Sequence, residues 1–280
     1  MDEARRRYLR QQIELGGAEA ILSETGDVPS RGDLVQADAG GVGNPVDPGT
    51  SGGAPMGTQA NVSRSGADKW RAGAPPIPGP GLAVRSPAVV PGQDPLAGLD
   101  SLETLAKRIT STYCCGLCPA RTNAVLGEGN PNAGLVLVGE GPGATEDETG
   151  RPFVGAAGRL LDEILGAVGL ARGDVFICNV VKCRPPQNRK PLPDEIDACI
   201  PYLHRQLAII GPKVIVTLGG TAAEALLGVK QSLGRLRGLV HTYDDVPLVA
   251  TYHPAALLRN PNWKKPTWDD VRIARQLLDR

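Results

Sequence analysis

Leu135-Val136-Leu137-Val138-Gly139-Glu140-Gly141-Pro142-Gly143 joins an apolar run to a glycine-rich turn. Four apolar residues without a polar break read as a strand buried on both faces. The glycines that follow let backbone N–H groups approach a ligand closely. Three further runs of the same kind lie at 175–181, 214–218 and 247–251. Between them the apolar spacing turns helical. Leu160, Leu161, Ile164, Leu165 and Val168 share one face; Ile196, Ile200, Leu203, Leu207 and Ile210 share another, opened by Pro193, Asp194 and Glu195. A short helix is expected near 221–227. The last, carrying Val271, Ala274, Leu277 and Leu278, is expected to start at the capping pair Thr267 and Asp270. Alternating strands and helices predict an α/β fold, a three-layer α/β/α arrangement with a central four-stranded parallel sheet. In such sheets a ligand site lies beyond the carboxyl ends of the strands, so the residues after each strand carry the functional reading.

The rest of the 280 residues frames that core. Residues 1–24 suit a helix with Tyr8, Leu9, Ile13, Leu15 and Ile21 as apolar members, and 25–99 are rich in Gly, Pro, Ala and Ser with Trp70 as the one aromatic. Such a composition predicts a disordered linker, leaving 100–280 as the folded domain and residues 1–99 dispensable for its activity. Thirty basic and thirty acidic side chains cancel, so any nucleic-acid contact must come from local clusters. No apolar run approaches the ~18 residues of a membrane span, and the charged start MDEARRRYLRQQ is no secretory signal. A cytoplasmic protein without membrane contact is expected. Its six cysteines then call for metal, catalysis or burial rather than disulfides.

After the first strand the GEGPG turn is not a Walker loop, since no Lys-Ser/Thr follows. Pro142 and the acidic run Glu146-Asp147-Glu148 also disfavour a pyrophosphate. The second strand ends at Asn179, whose amide offers donor and acceptor side by side, as the edge of a nucleobase requires. His253-Pro254 follows the fourth. Phe153, one of two phenylalanines, sits among polar and glycine neighbours in GRPFVG, 150–155, as a stacking platform or a core anchor. Singly each is a common turn or core residue. Together a carboxylate, an amide and an imidazole fall at strand ends that face one crevice.

Cys115 and Cys118 have metal-ligand spacing, whereas Cys183 and Cys199 stand sixteen apart. A zinc ribbon uses two close pairs, so the second spacing argues against zinc; an iron–sulfur cluster accepts four thiolates from irregular loops. Cys114 competes with Cys115 as a ligand, and Cys178, within a strand, reads as a small buried hydrophobe.

GEGPG at 139–143, GRPFVG at 150–155, the strand end at Asn179, KCRPPQNRKPLPDE at 182–195 and HPAALLRNP at 253–261 resemble the family-four, thermophile-type uracil-DNA glycosylases. The resemblance spans about 108–280. It implies the uracil-DNA glycosylase fold, a 4Fe-4S cluster on Cys115, Cys118, Cys183 and Cys199, and hydrolysis of the N-glycosidic bond of uracil in single- or double-stranded DNA by a monomer. It makes Glu140 the water-activating carboxylate and His253 the catalytic histidine. Gly141, Glu146, Phe153 and Asn179 become uracil-binding, with Glu146 beside C5, Phe153 stacking and Asn179 reading the base. No histidine interrupts 182–193, where a related subgroup carries a basic insert that bonds covalently to DNA, so plain hydrolysis is expected.

The chemistry agrees. A glycosylase holds an extruded base by stacking and edge hydrogen bonds, and a donor at uracil O2 stabilises the charge of the departing base. Lys182, Arg184 and Arg189, with Lys190, Arg259, Lys264 and Lys265, offer charge for phosphates. Leu257 and Leu258 offer a wedge for the gap left by the base. Two rivals explain less: an electron carrier accounts for the cysteines alone, a nucleotide-binding scaffold for the glycine-rich loop alone.

Overall fold

The computed structural model describes residues 69–87 and 96–280, which fall within one compact unit. The helix expected over 1–24 lies outside the described residues. In chain order the strands are β1 (Pro80–Val84), β2 (Glu128–Gly129), β3 (Leu135–Gly139), β4 (Phe176–Asn179), β5 (Val214–Leu218), β6 (Val240–Tyr243) and β7 (Val246–Thr251). The α-helices are α1 (Leu102–Ser111), α2 (Ala144–Thr149), α3 (Ala156–Ala167), α4 (Pro193–Ile210), α5 (Gly220–Leu227), α6 (Leu233–Leu236), α7 (Pro254–Arg259) and α8 (Lys264–Leu278).

One sheet runs β1-β6-β7-β5-β3-β4-β2. Its centre, β7-β5-β3-β4, is the four-stranded parallel array that the sequence predicts. Alternation along each strand sorts the core into two layers. Val136 and Val138 of β3 join Leu203 and Leu207 of α4 and Ala222 of α5. Leu135 and Leu137 point the other way, to Leu161 and Leu165 of α3 and Ile273 and Ala274 of α8. The result is the three-layer α/β/α arrangement. No described helix is long and apolar enough to cross a membrane.

The reading of 25–99 as one disordered linker is corrected over 69–87. There a 3-10 turn, Lys69–Arg71, buries Trp70 against Val168 and Val271. Arg272 Nε donates to the Trp70 carbonyl at 2.8 Å, and Arg272 Nη2 to that of Ala72 at 2.6 Å. β1 then pairs in parallel with β6 at the sheet edge. Pro80 is tolerated because an edge strand needs N–H groups on one side only. Gly81 is required by contact: a Cβ there would stand 2.5 Å from His241 Nδ1, which accepts the Leu82 N–H at 3.0 Å.

The start of the last helix is also corrected. α8 begins at Lys264, one turn before the expected cap, and the Thr267 hydroxyl donates back to the Trp263 carbonyl at 2.8 Å. Pro266 sits in the first turn, where its missing N–H has no helical partner to lose.

Candidate active site and thiol site

The carboxyl ends of β3, β4, β5 and β7 open into one cavity of about 380 Å³, lined among others by Glu140, Phe153, Asn179, Thr221 and His253. Gly139 and Asn179 are paired neighbours across β3 and β4. The Asn179 side chain is 1% exposed, yet its Oδ1 has no hydrogen-bond partner among the described residues. A buried, unsatisfied amide oxygen is costly unless a ligand completes it. Phe153 has φ 52°, a left-handed conformation that costs a bulky residue of order 1–3 kcal/mol. It is held there from several sides. Arg172 Nη1 donates to the Phe153 carbonyl at 3.0 Å, and Arg172 Nη2 donates to that of Pro152. Gly158 of α3 packs directly under the Phe153 carbonyl, where no side chain fits.

Glu146 supplies the third hold. Its Oε1 accepts the N–H groups of Val154 and Gly155, both at 2.9 Å, and its Oε2 that of Gly143 at 3.2 Å. Glu146 lines the cavity, as expected, but three backbone donors fix its carboxylate as a strut for the Phe153 loop. Its neighbour Asp147 is buried and accepts the Thr122 N–H. Much of the acidic run thus serves loop architecture.

His253 N-caps α7. Its Nδ1 accepts the Ala255 N–H at 3.1 Å, which leaves the second ring nitrogen to carry the proton in the neutral ring. Burial, with Arg259 adding to it, pushes the imidazole down to about 4, while Glu146 pulls the other way. Burial thus favours the neutral ring, with Nε2 left as its donor. It lies 5.3 Å from the Phe153 ring, centroid to centroid, at 30°. Glu140 accepts a hydrogen bond from the Thr221 hydroxyl. Burial raises the Glu140 carboxyl above its ordinary range, with Thr221 opposing. Thr221 was missed in the sequence because the end of β5 was not read as the other strand ends were; Gly219-Gly220-Thr221 follows that strand directly.

The basic residues divide. Arg259 is exposed, as is Leu258 at 51%. Arg184 is partly exposed and donates to Asn188 Oδ1 at 2.9 Å. Arg189 makes a two-pronged ion pair with Glu195 at 2.8 and 2.7 Å, so it clips the loop to the start of α4. Two expected DNA contacts are corrected. Lys182 is fully buried and Leu257 is 1% exposed. The side chain of Lys182 turns inward to backbone and amide oxygens, and Leu257 faces inward on α7, on which only Leu258 and Arg259 remain exposed.

The thiols gather in the core layer that β4 shares with α4. Cys114, Cys115 and Cys118 have their sulfurs within 4.8 Å of one another. Cys183 Sγ lies 3.7 Å from Cys118 Sγ, and Cys114 hydrogen-bonds to Cys199. Arg121 Nη1 donates to Cys183 Sγ at 3.3 Å, and the Lys182 N–H to Cys199 Sγ at 3.3 Å. Several free thiols in an apolar pocket with N–H donors aimed at sulfur suit a thiolate-bound iron–sulfur group. Cys178 is fully buried within β4, as expected of a small hydrophobe.

The uracil DNA glycosylase superfamily model matches residues 126–274. The chain is 47% identical over 188 residues to the type-4 uracil-DNA glycosylase of Sulfurisphaera tokodaii, covering 64% of this chain and 86% of that protein. With the type-4 enzyme of Thermotoga maritima identity is 49% over 183 residues, covering 64% and 95%. The strand-end cavity, Cys183 and Cys199 fall within the residues that the family model matches. On both measures this chain belongs to the uracil-DNA glycosylase superfamily and, within it, to the type-4 uracil-DNA glycosylases.

Proposed function

We propose that this uracil-DNA glycosylase flips uracil into the strand-end cavity and hydrolyses its N-glycosidic bond, starting base-excision repair. The observation that carries the reading is the unpartnered Asn179 Oδ1 in a cavity that also holds Phe153, His253 and Glu140. An amide oxygen of Asn179 accepts the N3–H of uracil while its NH₂ donates to O4; cytosine inverts both positions. Phe153 supplies the stacking face. As the C1′–N1 bond breaks, its electron pair goes to the uracil ring. The Nε2–H of neutral His253, already aimed by the Ala255 hydrogen bond, stabilises the charge at O2. Water adds to C1′ and gives up its proton to Glu140, which Thr221 holds in place. Gly141, on the cavity lining, offers its backbone to the base, and packs against Val181, whose Cγ2 a Cβ would meet at 2.7 Å.

A 4Fe-4S cluster on Cys115, Cys118, Cys183 and Cys199 is part of the proposal; these residues would hold it, and it would cross-link the segment before β2, the loop after β4 and helix α4. The chain's six thiols, all unpaired, suit a reducing cytoplasm. Arg259 and Arg184 are the phosphate contacts, and Leu258 the wedge. The enzyme is proposed to act as a monomer on single- or double-stranded DNA. The test is release of free uracil from a uracil-containing oligonucleotide in both forms. Absence of release from both, by folded protein, refutes the proposal.

A further inference from the structure

Lys182 is the largest side chain that is completely buried in the described protein. None of its contacts is a carboxylate. Its Nζ donates to the Asn179 carbonyl at 2.6 Å and to Gln206 Oε1 at 2.6 Å. Gln206, on α4, donates in turn to the Leu126 carbonyl. The Lys182 backbone is engaged as well: its carbonyl accepts the Val125 N–H at 2.8 Å and its N–H reaches Cys199 Sγ. A buried amine is costly unless its hydrogen bonds are met. Here the two oxygens that meet them come from the end of β4 and from α4, the helix that also carries Cys199.

We infer that Lys182 is a positioning residue that ties the base-reading strand end to the thiol site, its Nζ fixing the Asn179 peptide while its own N–H meets Cys199 Sγ. This rests on the proposed roles of Asn179 and of the four cysteines. The geometry favours the link over plain packing. An apolar side chain of this length would fill the space, yet it would leave the Asn179 carbonyl and Gln206 Oε1 without their donor. Lys182 does not line the cavity, so it acts on the base only through Asn179.

The test is Lys182→Met in the full-length, cluster-loaded protein, with two readouts. Affinity for free uracil is expected to fall about tenfold, about the net worth of one hydrogen bond to a charged group. Iron and sulfide content is expected to stay at the wild-type level, which separates a loosened Asn179 from a lost cluster. Gln206→Leu removes one anchor of the Lys182 side chain and keeps its bond to Asn179. It is expected to weaken uracil binding less than Lys182→Met does, and it replaces that variant if that one does not fold. Wild-type uracil affinity in Lys182→Met, or in Gln206→Leu where it stands in, overturns the inference, and so does a loss of affinity that comes only with loss of the iron. A wild-type protein that holds no iron or does not bind uracil overturns the underlying site reading, and the inference with it.

Discussion

Replacing Gly139 by alanine places a methyl group inside the recognition machinery. The added Cβ would stand 2.4 Å from Asn179 Oδ1 and 2.6 and 2.8 Å from two atoms of the Phe153 ring. Ordinary contacts between such atoms begin near ~3.5 Å, so the amide and the ring must each retreat by roughly 1 Å. Neither retreats easily. Asn179 is locked in β4 by pairing with β3, and Phe153 is held by Arg172, Glu146 and Gly158. Overpacking of this kind costs about 1–3 kcal/mol of stability, or about 2–4 °C in Tm per kcal/mol for a domain of this size. Misplacing the two groups that hold the base by ~1 Å costs of order 100-fold in rate. Single-turnover uracil excision is thus expected to fall about 100-fold while the melting temperature drops by about 2–12 °C. Gly166→Ala is the control. It lies in α3 with nothing within 4 Å of the added Cβ, and is expected to leave the rate unchanged. Excision by Gly139→Ala at the wild-type rate would refute the claim that Asn179 and Phe153 act on the base.

Four further outcomes follow from the same geometry. His253→Ala is expected to lower single-turnover excision by about 100- to 1,000-fold with the fold intact; an unchanged rate removes its role at O2. Burial pushes His253 down to about 4, below its ordinary 6.5, so below pH 6.5 the unfolded chain takes up the proton that the folded chain refuses. Stability contributed by the neutral ring is therefore present above about pH 6.5 and is lost as pH falls toward 4. The stability difference between wild type and His253→Asn, followed by denaturant titration, should shrink over that window. Cys115→Ser is expected to lose iron and inorganic sulfide and Cys114→Ser to keep both. The opposite result by metal analysis assigns the ligand to Cys114. Removal of residues 1–64 is expected to leave folding and excision intact, whereas removal of 1–99 strips Trp70 and β1. Large buried aromatics are worth about 3–5 kcal/mol, so the shorter protein should melt well below the longer one by calorimetry.

The parallel centre of the sheet was legible because 135–138, 175–181, 214–218 and 247–251 are continuous apolar runs, the mark of strands covered on both faces. β1 was not. Five residues, PGLAV, on an edge need little apolar content, and the Gly/Pro-rich surroundings hid them. Trp70, the only aromatic in that stretch, was the one available signal that the chain packs there. At the site, residue types at strand ends marked Glu140, Asn179 and His253, but side-chain direction was beyond reach. Lys182 sits in a run of basic residues and reads as surface until its Nζ is seen under Asn179. Leu257 and Leu258 are adjacent and chemically identical; the helical turn of α7 alone sends one inward and one outward. Glu146 faces the cavity, yet only the three N–H groups on its carboxylate show what it holds.

β1 reaches the sheet from a segment that precedes α1, and lies parallel to β6 with no tight turn between them. β6 and β7, in contrast, form a hairpin closed at Asp244-Asp245, both in left-handed conformations. Asp244 accepts the Ser86 N–H at 2.8 Å, and Asp245 pairs with Arg85 on the surface. The edge is thus latched by a few contacts, while β7-β5-β3-β4 stays closed by its own two layers. Such a division gives the molecule two opening free energies. Amide hydrogens of β1 should exchange through a partial opening that leaves those of β3 and β5 protected. Each opening bares the outer N–H and C=O groups of β6, a template onto which a strand of another chain can pair. The contacts of Trp70 and Asp244 therefore set how often this protein presents a sticky edge to its neighbours, independently of how well its pocket is made.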